Sequence, residues 1–229
     1  MDDWDYFGQI LQEKDPFNRM ASVHNWGQPY DYSKSWVTHC SFQTPITSRG
    51  IEEVPLIREQ YQKATIVDEC LYEGNIDMRW GNITPQEMVR RFWLGTVAGC
   101  YVTHGETYTH AEDILWWSKG GRLYGKSSER IAFLEKILAE GPSQGIEPIE
   151  PWPIWRQLTA GRENEYYLLY LSFHQPEYIN LVLPEGITFI VDILDTWDMT
   201  VTPAKKTYEG KSIIELPGKP YIALRIQRK

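Results

Sequence analysis

Short apolar runs alternate with helix-spaced patterns through the first half of the chain, and the second half changes to closely spaced runs of alternating apolar residues. In the first half the pattern predicts four strands, at residues 20–24, 36–41, 64–67 and 100–103. Helical spacing covers residues 3–11 and 51–62. A third helix opens at Thr84-Pro85-Gln86-Glu87, where threonine can cap and proline can stand first, and Met88, Val89 and Phe92 follow on one face. A last helix is expected from Ser128, with Ile131, Leu134 and Leu138 on one stripe, stopped by Gly141-Pro142. Strands separated by helices imply a parallel sheet, because parallel neighbours need a long crossover.

Residues 141–153 hold four prolines and two glycines and are read as a linker. Beyond it come runs at 166–173, 179–183, 188–192, 199–202, 212–216 and 221–226, separated by turn signals such as Pro184-Glu185-Gly186 and Pro217-Gly218. That pattern suits a small antiparallel β-sandwich. The expected division is an α/β domain at 1–141, a linker at 142–153 and an all-β domain at 154–229, the last packed against the first.

Composition narrows the function. A net charge of -8 and a pI near 5.2 disfavour a nucleic-acid partner, since phosphate binding relies on a basic face. No apolar run approaches the roughly 20 residues of a membrane span, and Met1-Asp2-Asp3 does not begin a signal peptide, so a cytoplasmic chain without membrane contact is expected. Cys40, Cys70 and Cys100 are too widely spaced for a CxxC unit and are read as buried thiols. The 10 Trp and 14 Tyr stand out, because a flat apolar ring with a polar tip suits the face of a sugar as well as a core.

Candidate chemistry centres on Ile66-Val67-Asp68-Glu69-Cys70-Leu71-Tyr72-Glu73-Gly74, where a buried strand delivers acidic residues to its C-terminal end. In βα barrels the site gathers at that end. Side chains alternate along a strand, so Asp68 and Glu69 face the same way only if the strand has already ended; Glu69 is the candidate. Glu73, further out, is expected to be solvated.

The stretches Glu69-Cys70-Leu71-Tyr72-Glu73-Gly74, Trp93-Leu94-Gly95, Tyr101-Val102-Thr103-His104-Gly105-Glu106-Thr107-Tyr108 and Ile114-Leu115-Trp116-Trp117-Ser118-Lys119-Gly120-Gly121 resemble bacterial glycoside hydrolases with a family-5-like (clan A) barrel. The ending Leu216-Pro217-Gly218-Lys219-Pro220-Tyr221-Ile222-Ala223-Leu224-Arg225 resembles the small β-domain of unknown function that such proteins carry. The resemblance implies half a (β/α)8 barrel, strands five to eight, followed by a β-sandwich. It implies that Glu69 is the nucleophile of a retaining glycosidase, and that the acid/base glutamate, usually in an Asn-Glu pair ending the fourth strand, lies outside these residues. A retaining centre needs both carboxyl groups about 5 Å apart.

Glu106, ending the neighbouring strand, is the internal candidate for a partner, although the resemblance reads it as a sugar-binding or orienting residue. His24 with Asn25, His39 and His104 are expected at strand ends near Glu69, as donors to sugar hydroxyls or to the glutamate. Tyr72, Trp116 and Trp117 are candidates for sugar contact, the tryptophans as a stacking platform or as packing under their loop. No HxH pair is present, so no metal is expected, and no cofactor. An oligo- or polysaccharide is the implied substrate; the alternative is a non-catalytic carbohydrate-binding remnant. A half barrel leaves two open edges, so association with itself or with a complementary half is expected.

Overall fold

The computed structural model of the chain describes residues 2–25, 30–43, 51, 54–109, 122–149 and 158–229. Among them no helix is long and apolar enough to cross a membrane. The helix α1 (Asp2–Lys14) leads to strands β1 (His24–Asn25) and β2 (His39–Gln43), helix α2 (Val54–Tyr61) and strand β3 (Ala64–Glu69). Strand β4 (Glu73–Gly74), helix α3 (Pro85–Ala98), strands β5 (Tyr101–Val102) and β6 (Glu106–Thr107) and helix α4 (Ser127–Ala139) complete this half. Strands β1, β2, β3 and β5 form one parallel sheet in that order. Sequence order and spatial order coincide, and each strand's C-terminal end lies at the same edge of the layer.

Helix α3 begins as its sequence predicts. The Thr84 hydroxyl accepts the Glu87 N–H at 3.2 Å, Pro85 stands first, and Gly99 closes the helix at φ 77°, a left-handed conformation that glycine adopts without penalty. Helix α4 has no such local cap. The N–H groups at its start are met instead by Glu73, more than 50 residues earlier in the chain.

The second half holds β7 (Glu147–Ile149), β8 (Thr159–Arg162), β9 (Tyr166–Tyr170), β10 (Tyr178–Val182), β11 (Phe189–Asp195), β12 (Thr200–Pro203), β13 (Lys211–Glu215) and β14 (Ile222–Arg228). Six of them form a sheet in the order β12-β11-β14-β9-β8-β7, antiparallel throughout, while β10 and β13 pair as a separate ribbon. All five residues of β9 are buried, because the sheet is covered on both faces. Tyr166, Leu168 and Tyr170 pack with Trp93, Phe133, Leu134 and Ile137 of α3 and α4, whereas Tyr167, Leu169 and Leu171 pack with Leu181 and Ile214 of the ribbon.

One expectation changes here. The stretch read as a linker carries β7, which ends the strand order of the six-stranded sheet, and Pro148 within it is tolerated at that position. The two halves also share one core. Trp93 is fully buried with its ring 5.6 Å from that of Tyr170 and 6.4 Å from that of Phe133, joining α3 to the sheet. Arg225 adds an ion pair to Asp192 on its own sheet at 2.8 Å and one to Glu140 beyond α4 at 2.6 Å.

Candidate active site

Strand β3 ends at Glu69, and the next residues turn back over it. Leu71 adopts φ 73°, a left-handed conformation uncommon for a branched side chain, and the Cys70 carbonyl accepts the Arg91 Nη1–H at 2.7 Å. The turn returns Tyr72 to the glutamate: its hydroxyl donates to Glu69 Oε2 at 2.8 Å, and its ring packs edge-on against Trp80 at 5.7 Å. Burial first, then the bond to Glu69 and that carboxylate's charge, push the Tyr72 phenol well above its ordinary range. It therefore stays a donor. The other carboxylate oxygen, Oε1, lies 3.1 Å from His24 Nε2. The Glu69 side chain remains 36% exposed, so its carboxylate is held yet reachable from solvent.

The structure brings His24 and Tyr72 to Glu69, as expected, and adds Asp68 and Ser41. His24 Nδ1 lies 3.4 Å from Asp68 Oδ2 and 3.4 Å from Ser41 Oγ, and the Ser41 hydroxyl donates to Asp68. Asn25 follows His24 in β1, whose partner there is Phe42. Trp116 and Trp117 lie outside the described residues. Ser41 left no signal in the sequence, being one small residue within a strand.

His39 is a correction. It begins β2 rather than nearing its end, and it pairs with Ala64 at the start of β3 while Gln43 pairs with Glu69 at the end. Five residues of strand, roughly 16 Å, separate it from the candidate nucleophile. Its Nδ1 instead meets the Thr38 hydroxyl at 2.9 Å.

His104 and Glu106 form a second cluster, and its third member is Glu73. The parallel pairing of β4 with β6 sets Glu73 directly beside Glu106. Glu73 is fully buried, not solvated: Oε1 accepts Tyr108 Oη at 2.8 Å and Lys126 N at 2.8 Å, and Oε2 accepts Ser127 N at 3.1 Å and the Ser127 hydroxyl. Glu106 Oε2 accepts Tyr124 N at 2.7 Å and Gly125 N at 2.9 Å. Together the two carboxylates receive four successive N–H groups leading into α4, where the helix dipole favours negative charge. His104 Nε2 lies 2.9 Å from Ser127 Oγ and 3.7 Å from Glu106 Oε1.

Ligand atoms of Glu73, His104 and Glu106 lie within 4.8 Å of one another, the spacing of a metal site. The hydrogen bonds argue against that use. Both oxygens of Glu73 already accept two donors each, which fills the carboxylate's lone-pair positions. A cation would have to displace the bonds that start α4. The bonds of Glu73 and of Glu106 Oε2 hold the backbone that leads into α4.

Comparison with solved structures agrees with this architecture. The whole chain superposes on part of a "putative glycoside hydrolase" from Bacteroides vulgatus ATCC 8482, with a TM-score of 0.87 and 31% identity, covering 100% of this chain and 48% of that one. A glycoside hydrolase family 5 structure from the same organism matches with a TM-score of 0.72 at 14% identity, covering 98% of this chain and 58% of that one. A structure described as a glycoside hydrolase matches with a TM-score of 0.69 at 11% identity over 98% of this chain and 60% of the other. The last two speak for the fold alone. The structural neighbours are thus proteins described as glycoside hydrolases, and the chain spans about half their length. Residues 155–227 match a family described as a domain of unknown function, DUF5605. No curated protein matches the chain.

Proposed function

We propose that this chain carries the nucleophile side of a retaining O-glycosidase centre. Glu69 attacks the anomeric carbon of an oligo- or polysaccharide, the glycosidic oxygen departs with the bonding pair, and water later hydrolyses the glycosyl ester. The observation that carries the reading is the setting of Glu69: it ends the third strand of a parallel sheet at the edge where βα folds keep their sites, partly exposed, with one oxygen held by His24 and the other by Tyr72.

On this reading β1, β2, β3 and β5 are strands five to eight of an eight-stranded barrel, and the acid/base carboxyl comes from polypeptide outside these residues. Two observations support it. The chain spans 48% of the 31%-identical relative. On α1, Trp4, Tyr6, Phe7 and Leu11 are all about half exposed or more, an apolar surface suited to cover by a complementary half or a second copy. Trp116 is assigned to stacking on the sugar in this reading, with Trp117 beside it as a second platform residue or as packing under the loop. The second reading, a carbohydrate-binding remnant, is favoured by the placement of Glu106, the internal candidate for the second carboxyl, in a buried cluster of its own.

Activated 2-deoxy-2-fluoro glycosides with a dinitrophenolate leaving group separate the two readings, because that group departs without a general acid. Peptide mapping after incubation is expected to find the sugar on Glu69, and no adduct in Glu69→Gln. Adducts elsewhere, or none across a panel of sugars, would favour the remnant.

A further inference from the structure

We infer that Asp68 is a positioning residue for Glu69, acting through His24; the inference rests on Glu69 being the nucleophile. In a regular strand, Asp68 and Glu69 would point to opposite faces. Here the register between β2 and β3 slips at its end: Phe42 pairs with Val67, and the next residue, Gln43, pairs with Glu69. Asp68 is the residue left over. Such a bulge re-aims a side chain at the end of a strand. Both carboxylates consequently reach the ring of His24, Glu69 at Nε2 and Asp68 at Nδ1.

The remaining contacts show a built arrangement. Ser41 is 3% exposed, and its hydroxyl donates to Asp68, so the serine oxygen helps fix the carboxylate in front of Nδ1. The Thr103 hydroxyl donates to the Asp68 carbonyl, and Thr103 N donates to the Val67 carbonyl at 3.2 Å, tying the bulge to the chain beyond β5. Ionised carboxylates only accept hydrogen bonds. The ring stands between the two, with Nε2 3.1 Å from Glu69 and Nδ1 3.4 Å from Asp68.

This arrangement has a use during turnover. When Glu69 forms its bond to the anomeric carbon, the carboxylate becomes a neutral ester and its hold on His24 weakens. Asp68 forms no bond to the sugar in that step, so its contact with the ring persists when hydrolysis regenerates Glu69. Asp68 neither gives nor takes a proton. Its side chain is 32% exposed, so water screens its charge, and its contribution lies in orientation more than in field strength.

The test is the rate at which the dinitrophenyl fluoroglycoside labels Glu69 in wild type, Asp68→Asn, Asp68→Glu and Ser41→Ala, with nitrogen NMR of the His24 ring in parallel. Labelling in Asp68→Asn is expected to slow about ten- to a hundredfold, with the thermal midpoint unmoved and part of the rate restored in Asp68→Glu. Equal rates in wild type and Asp68→Asn would overturn the inference while leaving Glu69 as nucleophile. No labelling of the wild type would overturn the nucleophile reading and the inference with it. The ring spectra test the contact independently: the His24 Nδ1 resonance should shift between wild type and Asp68→Asn, and identical spectra would refute it.

Discussion

A side-chain carbon at Gly105 would stand 2.4 Å from Cδ1 of Tyr72, so the loop after β5 closes on that ring only because no side chain intervenes. The same ring carries the hydroxyl that holds Glu69 Oε2. One missing methyl group thus bears on the geometry of the candidate nucleophile.

Gly105→Ala should therefore do two things at once. Overpacking of this kind costs about 1–3 kcal/mol, read as a shift in the urea midpoint. Displacement of Tyr72 should also slow labelling of Glu69, and Tyr72→Phe should do the same without the packing cost. A Gly105→Ala variant with wild-type stability and reactivity would show that the close approach does not set the position of Tyr72.

Glu73 is predicted to be a stability residue, not a catalytic one. Glu73→Ala leaves the Tyr108 hydroxyl, two N–H groups of the α4 start and the Ser127 hydroxyl without their acceptor. The loss should be on the order of 2–4 kcal/mol, because buried donors are costly to leave unpaired. Chemical denaturation measures it. A loss below about 0.5 kcal/mol, the range of ordinary surface substitutions, would mean that water reaches the cluster and replaces the carboxylate.

The shared core predicts joint unfolding of the two halves. Trp93→Ala should cost about 3–5 kcal/mol and lower the melting of both sheets together. Calorimetry of the wild type should show one transition whose calorimetric and van't Hoff enthalpies agree. Two separated transitions, with the substitution moving just one, would show that the helices and the six-stranded sheet are independent.

Alkaline titration should find tyrosines that resist ionisation. Burial pushes the phenols of Tyr32 and Tyr166 up to about 12, and raises Tyr72, Tyr108 and Tyr170 as well, with Glu69 and Glu73 reinforcing the effect at Tyr72 and Tyr108. Folded values above the ordinary 10.0 mean that the native state holds these protons more tightly. The resulting stabilisation is complete below pH 10 and is lost as pH rises from there through the folded values. At about pH 11 phenolate absorbance should account for only part of the tyrosines, the rest appearing with alkaline unfolding. Full ionisation with the fold intact would contradict their burial.

Local sequence carried the helices and most of the strands. Thr84 and Pro85 announced the start of α3, and the β-branched run at 64–67 located β3 and with it Glu69. The strand expected at 36–41 begins instead at His39, because Trp36 and Val37 are buried in a loop-side cluster with Tyr30, Tyr32 and Cys40. An apolar run reports burial and not conformation. That displacement carried His39 from the expected mouth of the sheet to its base. The burial of Glu73 is not legible for another reason: a glutamate alone gives no sign that a helix start lies more than 50 residues further on, waiting for an acceptor.

By itself the sequence determined the helices, most of the strands and the strand that delivers Glu69, since these follow from periodicity and caps within a few residues of each other. Tertiary structure decided what surrounds that glutamate. The contact of His24 with Glu69 spans 45 residues, and the one-residue slip that turns Asp68 toward the same ring exists only in the pairing of β2 with β3. Register between strands is a property of two segments at once, and neither segment alone encodes it.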